Sequence, residues 1–142
     1  MATWYDFIQS IYDSLTANAT LAGVPVIVGK DEPFPKAAAI RIMRGDDTGE
    51  RRLRARSVST KKPIEIIVEV WEESQTTNPL AGYEKLATLE GKVDTALEAW
   101  ADNPPDLSGV SFYPAITRRV PANEELTRPM VGSRATLQID YI

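Results

Sequence analysis

The chain contains neither cysteine nor histidine in its 142 residues. Without cysteine there is no disulfide, no thiolate metal site and no sulfur nucleophile. Without histidine the commonest general base and the commonest metal ligand are gone, and so is every serine–histidine triad. Catalysis would have to use carboxylates, lysine or tyrosine, and no arrangement of these stands out, so the expectation is a protein that is not an enzyme and holds no metal or cofactor. No charged-then-apolar leader opens the sequence, and no apolar run approaches membrane-spanning length. The expected setting is therefore a cytosol, with no membrane partner. An excess of positive charge is lacking too. The formal net charge is −4, which gives overall charge no part in nucleic-acid binding.

What is present suits a globular domain. Apolar residues make up 43% and charged residues 25%, enough apolar surface for a core and too much for general disorder. With no repeat and no linker, residues 1–142 are expected to form one domain.

The strongest local signal is Pro63 to Glu73, PIEIIVEVWEE. Ile64, Ile66, Val68 and Val70 alternate with Glu65, Ile67, Glu69 and Trp71, the period of a strand with one apolar face. This strand is expected at the centre of a sheet. Before it, Thr3 is a helix N-cap with Asp6 placed to bond back to it, and Trp4, Phe7, Ile8, Ile11, Tyr12 and Leu15 form an apolar helical stripe. Asp6, Gln9, Ser10, Asp13 and Ser14 make its wet side. That helix should end near Asn18. Val24 to Val28 reads as a short edge strand, because Pro25 lacks an N–H. Ala37 to Arg44 reads as a second strand, with Arg41 and Met43 on one face. After Glu73, Asn78 and Pro79 open a helix reaching about Ala101. Its predicted stripe is Leu80, Tyr83, Leu86, Ala87, Val93, Ala96, Leu97 and Trp100, broadened by Leu89. Gly91 is a candidate for close approach to the sheet. Val110 to Val120, with Pro114 marking an edge or bulge, and Met130 to Ile142 read as the last strands. The order is α-β-β-β-α-β-β. It predicts an α+β fold, a mainly antiparallel sheet with two helices on one face.

Gly45 to Lys62 is a long connection. From Arg44 to Lys62 there are seven basic and three acidic residues, against nine and seventeen elsewhere, so an acidic body carries one basic loop. Arg51, Arg52, Arg54, Arg56, Lys61 and Lys62 are the candidate contact residues. Arginine forks suit phosphates, or an acidic face of a neighbouring protein, including another copy of this chain. The plain alternative is a solvated loop. No aromatic residue lies within the segment to stack on bases. Asp46, Asp47 and Glu50 read as a solvated cluster neutralised by arginines. Glu65 and Glu69 read as cross-strand partners of Arg41 rather than a catalytic pair. Trp4, Tyr12, Tyr83 and Trp100 read as core. The second sheet face, with Glu65, Ile67, Glu69 and Trp71, is expected to meet another subunit, and the basic loop to reach the same partner.

The succession WYDFIQSIYDSL, VPVIVG, AAIRIMRG, a long charged loop, IEIIVEVWEE, NPLAGYEKLATLEGKVDTAL and ATLQIDYI resembles the tail terminator and tail-to-head joining proteins of long-tailed bacteriophages, the terminator of phage lambda among them. The resemblance covers nearly the whole chain and is one of order and texture, with no invariant motif. It implies a structural virion assembly protein of a phage or prophage. Such a protein forms a hexameric ring that caps the tail tube and offers the head a joining surface. The implied partners are further copies of itself, the tail tube protein and the head–tail connector protein, with nucleic acid only passing through the ring. The implied location is the head-proximal end of the virion tail, after assembly in the host bacterial cytoplasm. A neck or minor capsid component is the neighbouring alternative, and a nucleic-acid-binding module using residues 51–62 is the alternative of a different class.

Overall fold

The computed structural model describes residues 3–29, 37–45, 62–74, 78–102, 112–127 and 129–141. Helix α1 runs Trp4–Ala17. Its start is fixed by Asp6, whose carboxylate accepts from the Thr3 backbone N–H at 2.6 Å and from the Thr3 hydroxyl at 3.2 Å. It ends at Asn18, whose side chain turns to cap the short 3-10 turn Ala19–Leu21. Gly23, at φ 85°, then reverses the chain in a region that side chains other than glycine rarely adopt.

Strand β1 is Val26–Val28 and β2 is Ala39–Arg44, paired in parallel. Strand β3 is Lys62–Glu73, β4 is Phe112–Pro121 and β5 is Met130–Tyr141. Helix α2, Pro79–Asp102, joins β3 to β4, and a four-residue helix α3, Glu124–Thr127, joins β4 to β5. Across the sheet the order is β1-β2-β3-β5-β4. All pairs but β1–β2 are antiparallel. The fold is thus α+β in the expected order, with the 3-10 turn and α3 added. The expected central strand is the middle one of five, paired with β5 over its full length from Lys62 to Glu73. Pro25 lies at the sheet's edge, where its missing N–H leaves no broken ladder bond, while its carbonyl accepts from Ile40 at 2.9 Å.

Both helices cover one face. Ile64, Ile66, Val68 and Val70 are at most 1% exposed and pack with Phe7, Ile11 and Leu15 of α1 and Leu86, Val93 and Leu97 of α2. Trp100 of α2 adds a polar tie, its Nε1–H donating to Ser10 Oγ at 2.8 Å. Ser10, expected on the wet side of α1, is therefore part of the helix–helix seam.

The α2 stripe needs correction. Its buried residues are Gly82, Leu86, Leu89, Val93, Ala96, Leu97 and Trp100. Leu80 and Tyr83 are 75% and 45% exposed, and Ala87 is exposed as well. Gly91 is exposed with nothing near its missing side chain, so it makes no close approach. Gly82 makes one instead. A Cβ there would lie 2.9 Å from Ser74 Cα and 3.0 Å from Ser74 Oγ, so glycine lets α2 begin hard against the end of β3.

Candidate functional site

Alternation along β3 sends every second residue to the face away from α1 and α2. Register then assembles rows across it. Arg41 of β2, Glu69 of β3 and Arg134 of β5 lie side by side. Arg134 donates to Glu69 Oε2 from Nε at 3.2 Å and from Nη2 at 2.9 Å, and Arg41 Nη1 stands 3.8 Å from Oε1. The Arg41 and Glu69 side chains are 9% and 6% exposed, that of Arg134 48%. One carboxylate between two guanidinium groups leaves this row with net positive charge. Burying a charge is costly unless it is paired, and Glu69 is held by hydrogen bonds from Arg134 and by a longer ion pair with Arg41.

In the next row Trp71 faces Gly132. A Cβ on Gly132 would lie 2.4 Å from Trp71 Cε3 and 2.7 Å from the Val70 carbonyl oxygen. The absent side chain is the space the indole occupies, and Trp71 is 4% exposed as a result. On the other side, Met43, Ile67 and Thr136 form a row, and Glu65 stands opposite Gln138.

Strand β4 completes the face through an irregularity. Its pairing shifts between Ile116 and Arg118, so the extra residue Thr117 changes the side to which the following residues point. Arg118, opposite Thr136, and Val120, opposite Arg134, join the face of Trp71. Arg119 turns to the helix side. There it pairs with Asp94, approaches Glu90 Oε1 to 3.9 Å and donates to Ser133 Oγ at 3.3 Å, while Ser133 donates to Glu90 at 2.5 Å. Tyr83 donates to Glu124. Polar ties thus hold the β4–α3 segment to α2, and Ile116 beside them stays 41% exposed.

The face away from α1 and α2 encloses a depression of about 800 Å³, with buried Met43 and Trp71 and partly buried Ile67 beneath and Arg118, Arg134 and Glu65 at its rim. The turn after β4, with Pro121, Ala122 and Asn123, forms one wall. Such a mixture of apolar floor and cationic rim suits a protein surface carrying an apolar residue beside a carboxylate.

Of the predicted contact residues, Glu65, Ile67, Glu69 and Trp71 are brought together on this face. Lys62 opens β3 opposite Tyr141. Arg51, Arg52, Arg54, Arg56 and Lys61 lie outside the described residues. The predicted ion pair of Arg41 forms with Glu69. Tyr83, expected in the core, is on the surface. Arg118 and Arg134 were missed. The two-residue period that places Thr136 and Gln138 on one face reaches Arg134 when continued backwards. No comparable signal reveals Arg118, because the irregularity in β4 reverses its side.

No family model and no curated protein matches the sequence. Among solved structures, one that carries no functional name matches with a TM-score of 0.55 and 12% identity, over 96% of this chain and 90% of the other. That likeness is one of fold. Another match is the sheath/tube terminator of an extracellular contractile injection system, PVC, in the extended state. Its TM-score is 0.44 and its identity 15%, and the match takes in 99% of this chain but 57% of the terminator. At that score the likeness lends the terminator's role no weight here.

Proposed function

We propose that the chain is a structural component of a phage or phage-derived tail, a terminator that forms a ring on the end of the tail tube and presents a surface for joining the head. On this reading it has no catalytic role, and its partners are its own copies, the tube protein and the head connector. Its place is the head-proximal end of the tail, and six copies is the number that the sequence resemblance implies.

One observation carries the reading most of the way. The sheet face away from α1 and α2 holds exposed Val120 and Arg118, half-exposed Arg134 and partly buried Ile67 around an open depression. A monomer gains little by keeping such a surface, whereas a subunit of an assembly needs it. The texture of the sequence, from the aromatic opening helix to the closing strand, points to the same class of protein.

The test is tube growth. A tail tube protein is polymerised with and without the purified chain and viewed by electron microscopy. The reading expects shorter tubes with a ring of density at one end. Tubes of unchanged length with bare ends would overturn it.

A further inference from the structure

Two features of the molecule fit each other and lie on opposite sides of it. The first is the depression on the sheet face away from α1 and α2. Among the described residues its charged lining is Arg41, Arg118 and Arg134 against Glu65 and Glu69. Glu69 is already held by two of the arginines, which leaves exposed Arg118 and the half-exposed Arg134 to set the potential at the rim. The second is the outer face of α1. Residues 1–29 contain no lysine or arginine, and Asp6 and Asp13 are their acidic residues. Phe7, Ile11 and Leu15 turn to the core, so Tyr5, Gln9 and Asp13 run along the solvent side at successive turns. They are linked to one another: Tyr5 donates to Gln9 Oε1 at 3.2 Å, and Gln9 donates to Asp13 Oδ1 at 3.1 Å. Tyr5 is 57% exposed, a large aromatic ring at one end of a polar row whose other end is the carboxylate of Asp13.

From this complementarity we infer that the outer row of α1 in one copy docks in the depression of a second copy. The Tyr5 ring meets the apolar lining at Ile67 and Val120, and Asp13 meets Arg118 and Arg134. Because α1 covers the opposite face of the sheet, the two surfaces cannot meet symmetrically across a two-fold axis. The contact runs head to tail, and repetition closes a ring or extends a filament. The inference rests on the ring-forming role proposed above and adds the pair of surfaces that would make the ring.

Charge reversal tests it. Asp13→Arg and Arg118→Glu are made singly and together in the full chain, and mass is measured across protein concentration, with circular dichroism confirming the fold. Both residues are exposed, so the fold should tolerate either change. Each single variant is expected to raise the concentration needed for assembly by about tenfold or more, and the double variant to recover most of that loss. The parent's assembly should also weaken with added salt. Single variants that assemble like the parent would overturn the docking while leaving the ring intact. A single variant that assembles normally but no longer caps tubes would overturn it too, and would assign the depression to the tube. A parent chain that stays monomeric even on tubes would overturn both the docking and the ring.

Discussion

Trp71 and Gly132 share one volume, and neither could be what it is without the other. Adding a methyl group at position 132 drives it to 2.4 Å from the indole. Gly132→Ala should therefore destabilise the fold by about 1–3 kcal/mol, the usual cost of overpacking. Urea unfolding measures this, and a shifted tryptophan emission would report the displaced ring. Glu69 makes the opposite kind of test. Glu69→Ala removes the carboxylate between Arg41 and Arg134 and should cost about 3 kcal/mol, the lower end for a broken buried pair because Arg134 is half exposed. Glu65→Ala, on the same strand face but without an observed ion pair among the described residues, should cost under about 1 kcal/mol. At this scale the sequence was partly legible. Alternation puts Glu69 and Arg41 each on one face of its strand, and pairing of the two consecutive strands then makes them expected partners. It cannot say that a glycine on another strand makes room for Trp71, because that depends on which strands become neighbours.

Helix α2 shows what an element's sequence reveals and what it conceals. Its existence and ends follow from Asn78, Pro79 and the apolar recurrence. The identity of its buried face does not follow from counting apolar residues. At 3.6 residues per turn, Leu80, Tyr83 and Ala87 lie roughly a quarter-turn or more from the centre of the buried stripe, whereas Gly82 lies within it. Phase decides burial, and a glycine in phase is easily overlooked. The two helical glycines should accordingly respond with opposite sign. Gly91→Ala meets nothing and should raise stability by about 0.5–1 kcal/mol through helix propensity. Gly82→Ala would press on Ser74 and should lower it despite the same propensity gain. Thermal melts of the two variants check both signs, with shifts of about 2–6 °C per kcal/mol for a chain of this size. Strand β4 was legible as an edge from Pro114, but its irregularity falls further on, between Ile116 and Arg118. That shift is invisible to a period-two reading, and it divides Arg118 and Arg119 between two faces.

At the scale of the molecule, charge and topology work together. A chain of net charge −4 places arginines around one sheet face and keeps its first helix free of positive charge. The helices α1 and α2 take one face of the sheet for the core, and the other is the face proposed above to meet a second copy. The architecture was legible because each element's pattern agrees with the fold. The depression was less so, because it is made by register, by the β4 irregularity and by the turn after Pro121. On the docking proposed above, this face is a contact between copies of the chain. The most direct test is the mass of the purified protein, by light scattering or analytical ultracentrifugation, across a wide range of concentration. The account predicts a discrete assembly, a whole-number multiple of the 15.7 kDa chain, that gains population as concentration rises. A strict monomer at every concentration, with tail tubes as well as without them, would contradict it.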